Sequence, residues 1–227
     1  MVVRKARLDE TVRFTDGDKA MDATDIVLLK KSDFAIAGDC LADAFEQDPF
    51  MSHLLPDTSA PKRLALKKMS QGMLNFAQPY DHIYTTADQP TGVAVWQPPG
   101  SSDKTWEEFW NLLNSGLLQI PLYLRWSRLI DAVWLMSTLS GLHKKLMPEP
   151  HWYLMMLGVS PDFQGEGIGG KLIQPVLDLA DRDNIPCYLE TTTPGGVRFY
   201  KRRGFEVIHQ DFFAGHSYWN MRRSPQN

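Results

Sequence analysis

Cysteine is nearly absent: Cys40 and Cys187 are the only two in 227 residues. They lie far apart without metal-ligand spacing, so two free thiols in a reducing compartment are expected, and no metal site. No apolar run approaches the length that spans a bilayer. The basic opening Met1 to Lys5 leads into Leu8, Asp9, Glu10 and Thr11 rather than an apolar stretch. No secretory signal or membrane partner is therefore expected, and the protein is expected in the cytoplasm. A surplus of basic charge is also lacking. Lys and Arg number 24 against 27 Asp and Glu, a formal net charge of −3, and the cations form local clusters rather than a stripe. That disfavours nucleic acid as a partner, because phosphates need neutralising. There is no internal repeat and no low-complexity tract.

What is present is an ordinary globular composition, 43% hydrophobic and 22% charged, enough for a sizeable core. One α/β domain over 25–223 is expected, preceded by a mobile extension over 1–24 and carrying a helical insertion at about 100–147. Ile26 to Leu29 reads as a short buried strand. Ser32 is placed to cap a helix through Phe45 with Phe34, Ile36, Ala37, Leu41 and Phe45 as its apolar face. A second helix follows Thr58-Ser59, with Pro61 in its first turn and Leu64 and Leu66 inside. Two strands, His82–Thr86 and Gly92–Trp96, flank a turn. The Trp- and Leu-rich insertion predicts helices broken near Pro121; Trp106, Trp110, Trp126 and Trp134 read mostly as core.

The second half is more regular. Tyr153 to Val159 is a nearly unbroken apolar run, as in a central strand. Ile168, Leu172, Val176 and Ala180 then recur at helical spacing, with Pro175 predicting a bend. Pro186–Glu190 is the next strand. Thr193 as N-cap and Pro194 at the first position open a short helix that Gly204 ends. Phe205–His209 and Tyr218–Arg222 complete a sheet.

The strongest local signal is Val159-Ser160-Pro161-Asp162-Phe163-Gln164-Gly165-Glu166-Gly167-Ile168-Gly169-Gly170, set between a strand and an amphipathic helix. Glycines admit a ligand close to the backbone, and unpaired helix-start N–H groups suit a pyrophosphate. The spacing Gly165-x-Gly167-x-x-Gly170 also matches a dinucleotide fingerprint, with Glu190 at a fitting distance, so spacing alone keeps a nicotinamide enzyme open. A P-loop is excluded, because no Lys-Ser/Thr pair follows.

The flanks separate these readings. Gln164-x-x-Gly167-x-Gly169 after Val159-x-Pro161, together with Arg198 to Phe205, resembles the cofactor and C-terminal motifs of the GNAT N-acetyltransferases. His151 to Leu154, Leu189 to Thr191 and Gly92 to Trp96 resemble stretches of the puromycin N-acetyltransferase group. The resemblance is continuous over 94–96 and 151–207 and patchy elsewhere. It implies a mixed, mostly antiparallel α/β sheet, splayed at the acetyl-CoA site and flanked by helices.

By that resemblance, Leu157, Gly158 and Val159 form the strand edge that meets pantetheine, and Gly158 is expected to spare the ligand a side chain. Gln164, Gly165, Glu166, Gly167, Ile168, Gly169 and Gly170 form the cradle. Tyr200 matches the tyrosine that protonates the leaving thiolate. Four residues earlier, Gly196 stands where the family often has asparagine. Glu190 is the candidate general base, directly or through water, with a plain structural carboxylate as its alternative. Asp43, Glu46 and Asp48 lie where the family builds its acceptor pocket. The expected reaction is direct acetyl transfer from acetyl-CoA to a primary amine of a small molecule, without a metal, by a monomer or homodimer. Protein or peptide acetylation and a silent CoA-binding sensor are the alternatives.

Overall fold

Seven segments rich in β-branched and aromatic residues pair into one sheet in a computed structural model, which describes residues 25–101 and 112–226. The strands are β1 (Ile26–Leu28), β2 (Ile83–Thr86), β3 (Gly92–Gln97), β4 (Trp152–Val159), β5 (Cys187–Thr191), β6 (Glu206–Phe213) and β7 (His216–Arg223). Their order is β1-β2-β3-β4-β5-β7-β6. Only β4 and β5 run parallel; every other neighbouring pair is antiparallel. Helices α1 (Phe34–Ala44), α2 (Pro49–Leu54), α3 (Ser59–Ala77), α4 (Leu129–Leu146), α5 (Ile168–Arg182) and α6 (Pro194–Lys201) flank it.

Alternation along the strands divides the core in two. Leu154, Cys187, Leu189 and Met221 pack with Ile168, Leu172, Ile173, Val176, Leu177 and Tyr200, so α5 and α6 cover one face. Val93, Val95 and Ile83 pack with Phe34, Ala37, Leu41 and Leu74, so α1 and α3 cover the other. At ~25 cal/mol per Å² of apolar surface removed from water, each fully buried leucine in these layers contributes roughly 2 kcal/mol. Helix α4 lies along α2 and the β6–β7 hairpin, where Phe50, Leu54, Leu135, Phe213 and Tyr218 form a third cluster.

Helix α5 keeps its fourfold apolar row buried and runs through Pro175. Thr193 Oγ1 accepts from the Gly196 amide and caps α6, and Gly204 ends that segment at φ +81°. Elsewhere the structure departs from expectation. Strand β1 is an edge, with Leu28 exposed, because among the described residues β2 is its only sheet partner. Lys31–Asp33 is a 3-10 turn, so α1 begins after Ser32, whose hydroxyl donates to Asp33 instead of capping. Ile36 and Leu64 face solvent. Residues 117–123 form a 3-10 segment through Pro121. Trp126 and Trp134 are exposed rather than core. Trp106 and Trp110, and the expected extension over 1–24, lie outside the described residues.

Both cysteines are buried and free. Burial pushes their thiols up, Cys40 to about 11 and Cys187 to about 12, which leaves neither as a nucleophile near neutrality. Among the described residues no helix is long and apolar enough to cross a membrane. None of their His, Cys, Asp and Glu groups could hold a metal ion.

Candidate active site

Strands β4 and β5 part company halfway along. Their parallel ladder pairs Trp152 with Cys187, Tyr153 with Tyr188 and Leu154 with Leu189, then stops. On its other side β4 stays paired with β3 as far as Val159. The register slips between Val95 and Trp96, which oppose Met156 and Leu154, so Met155 is an extra residue in β4. Such a bulge bends its strand and breaks its pairing. From Met155 to Val159 the edge of β4 therefore faces a gap. This edge holds the expected Leu157, Gly158 and Val159 and begins two residues earlier. No residue type announces the bulge, so the sequence gives no sign of Met155.

The cradle closes the end of that gap. Gln164 Nε2 donates to the Val159 carbonyl at 3.0 Å, folding the loop back on its strand. Gly165 and Gly167 take φ of +90° and +83°, a region that costs other residues roughly 1 kcal/mol, and a Cβ on either would meet open space. The Gly170 and Lys171 amides donate to the Gly167 carbonyl and begin α5. The Gly167, Ile168 and Gly169 amides have no acceptor among the described residues, as at any uncapped helix start. An anion's oxygens fit such a row.

Two glycines serve packing. A Cβ on Gly158 would lie 2.9 Å from both Leu41 Cδ2 and Ala44 Cβ. Its bareness admits α1. At Gly170 a Cβ would overlap the Arg203 guanidinium, which sits 3.7 Å from the Phe199 ring centroid and donates to the Phe199 carbonyl at 2.9 Å. The Phe199 ring in turn lies against Gly169. Helix α6 is thereby locked to the cradle, a role for Arg203 that the charge run 201–203 did not reveal.

Tyr200, on α6, is almost fully buried between Phe199 and Phe205. Burial raises its phenol well above 10, so it is protonated at neutral pH. The departure at Gly196 has a local cause: a Cβ there would collide with Thr191 Oγ1.

Glu190 is the first β5 residue beyond the last β4 pair, at the throat of the gap. Residues 188 and 190 share a face, and Tyr153 stands beside Tyr188 in register. Desolvation pushes the Glu190 carboxyl up to about 7, against the opposing pull of the two neighbouring phenols, Tyr153 and Tyr188. Asn220, opposite Glu190 on β7, donates to the Tyr188 oxygen at 2.6 Å. Two buried oxygens beside this group, Asn220 Oδ1 and Tyr218 Oη, have no partner among the described residues. Beyond it, His143 on α4 stacks on Tyr188 at 4.4 Å between centroids.

Two of the acidic residues near the first helices, Asp43 and Asp48, are occupied. Asp43 is ion-paired with Arg63 at 2.7 Å. Asp48 caps α2 through Oδ1 and accepts from Thr192 through Oδ2. Asp48-Pro49 thus starts a helix. The structure brings Glu190, the cradle and the β4 edge together around one gap, with Tyr200 beneath it on the α5–α6 face. Tyr153 also lies here, paired with Tyr188, and the His151 ring is 5.9 Å from that of Tyr188.

A splayed β4–β5 pair with an anion cradle at its end, in a mixed seven-stranded sheet, is the architecture of the GNAT acetyltransferases. A doubly wound parallel sheet, which a nicotinamide enzyme would need, is not formed. Residues 127–205 match the Acetyltransferase (GNAT) family. A Schizosaccharomyces pombe protein described as an uncharacterized N-acetyltransferase is 26% identical over 193 residues, 82% of this chain and 75% of its own. A solved Corynebacterium glutamicum structure, described as histone acetyltransferase HPA2 and related acetyltransferase, covers 89% of this chain and 97% of its own. It aligns at 19% identity with a TM-score of 0.59. A Drosophila melanogaster polyamine N-acetyltransferase, which catalyses formation of N-acetylagmatine, covers 88% and 100% at 14% identity with a TM-score of 0.54. The chain has the GNAT fold, its second half matches that family, and it is an acetyl-transferring enzyme.

Proposed function

We propose that this enzyme transfers the acetyl group of acetyl-CoA to a primary amine of a small molecule, by direct attack in a ternary complex. The observation that carries the reading is the open β4 edge from Met155 to Val159, which ends in a cradle of unpaired amides. On this reading the edge hydrogen-bonds pantetheine, and Gly165 to Gly170, held by Gln164, receive the pyrophosphate. When bound, acetyl-CoA supplies the thioester carbon that the amine attacks.

The chain's own groups then manage two protons. Glu190, pushed up to about 7, is poised to accept one from the attacking amine near neutral pH. Tyr200, protonated by burial, holds the proton for the departing sulfur. Asn220 Oδ1 and Tyr218 Oη offer polar contacts beside Glu190 on the acceptor side. The likeness to a polyamine acetyltransferase supports a small amine as acceptor, and a puromycin-like aminonucleoside is the first candidate on sequence resemblance. We assign this activity to one domain spanning 25–223, acting in the cytoplasm as a monomer or homodimer.

The test is calorimetric titration with acetyl-CoA, then thiol release against an amine panel that includes puromycin and agmatine. Micromolar-range binding with amine-dependent thiol release is expected. Binding without release across small amines, but with release on peptide N-termini, would replace the small-molecule acceptor. Absence of acetyl-CoA binding would overturn the proposal.

A further inference from the structure

The Glu190 cluster has an outer layer that the reaction above does not use. His143, in the last turn of α4, lies flat on Tyr188 at 21° between planes and 4.5 Å from the Tyr153 centroid. Its Nε2 is 2.6 Å from His151 Nε2, and His151 Nδ1 is 2.7 Å from the Glu149 carbonyl oxygen. A carbonyl only accepts, so His151 donates through Nδ1. Its neutral ring then presents Nε2 as an acceptor, and the donor in the pair is His143 Nε2–H. Burial pushes both imidazoles down, His143 to about 4, so both are neutral where the enzyme would work.

The arrangement is a clamp with a fixed direction: His143 to His151 to the backbone at Glu149. An Arg222–Glu149 ion pair at 3.0 Å holds that backbone. The clamped ring lies against the two phenols beside Glu190. Glu190 is half-buried, and a carboxylate keeps a raised proton affinity only as far as neighbouring side chains hold water away. The other charged or titratable groups around the cluster are Lys144 on α4, Tyr218 and Arg222 on β7, and Asp211 on β6.

We propose that His143 is a positioning residue for Glu190: locked by His151, its ring seals Tyr153 and Tyr188 over the carboxylate and keeps water from it. The insertion helix α4 thereby helps tune the base without touching either substrate. This inference rests on Glu190 being the base.

The test is NMR titration of the Glu190 carboxyl carbon in the full chain labelled with 13C-glutamate. The signal is assigned by its loss in Glu190→Gln. In His143→Ala and His143→Gln the midpoint should fall by about one pH unit, as water reaches the carboxylate. His143→Phe, which keeps a flat ring, should hold the wild-type midpoint. Should the alanine variant fail to fold, the glutamine–phenylalanine comparison decides alone. An unmoved midpoint in the glutamine variant overturns the proposal, even if its melting temperature falls. Amine acetylation by Glu190→Gln is scored separately: full activity there overturns the base, and with it any functional role for His143.

Discussion

Thr192 Oγ1 donates to Asp48 Oδ2 at 2.6 Å, tying the end of β5 to the start of α2 across 144 positions of sequence. The other Asp48 oxygen accepts from the Phe50 and Met51 amides, at 2.9 and 3.0 Å. One carboxylate thus caps α2 and anchors it to the end of the strand that carries Glu190. Asp48→Ala should cost about 1–2 kcal/mol of stability, the worth of a lost cap. Thr192→Val, which keeps the cap, should cost less. Denaturant melts of the two variants check this, and equal losses would show that the cap carries no weight.

Glu190→Gln should lower kcat/KM for the amine by roughly 10²–10⁴, the usual share of a positioned base, while acetyl-CoA affinity stays. Wild-type activity should rise as pH passes through about 7, where the carboxylate forms. Stability should move the other way. A carboxyl whose folded pKa lies above its unfolded value favours folding below the unfolded value, and that contribution is lost as pH rises through about 7. Glu190→Gln should therefore be relatively more stable at pH 8 than at pH 5. Melting curves at the two pH values read this directly.

Tyr200→Phe should reduce kcat by roughly 10² or more with little change in acetyl-CoA binding. The ring stays packed between Phe199 and Phe205, so the melting temperature should be nearly unchanged. Wild-type turnover in this variant would remove Tyr200 as the acid.

Gly196→Asn, which restores the residue common in the family, should destabilise this chain, because its Cβ meets Thr191 Oγ1. Thr191→Ala removes that oxygen and should recover part of the loss. The pair should be non-additive by about 0.5 kcal/mol or more in a double-mutant cycle.

Gly158→Val should cost about 1–3 kcal/mol by overpacking against Leu41 and Ala44. Trimming Leu41 to Ala should relieve part of the clash, although that change carries its own cavity cost. If Gly158→Val instead weakened acetyl-CoA binding at full stability, the glycine would belong to the ligand after all.

The sequence by itself determined what local chemistry dictates. The buried row of α5 follows from fourfold spacing, the start of α6 from Thr193 and Pro194, and the cradle from glycines at a strand-to-helix turn. These signals lie within a few residues of one another, and their physics is local. Only the tertiary structure decided where β4 leaves β5, because the Met155 bulge is a mismatch between two strands and carries no composition of its own. The same holds for Gly158, which yields to a helix more than a hundred residues earlier in the chain. It holds also for Trp126 and Trp134, whose apolar spacing cannot say which face a neighbour will cover. Glu190 was visible as a strand-end carboxylate. Its raised proton affinity was not, since desolvation is a property of how other elements, such as the strand that carries Tyr153, pack around it.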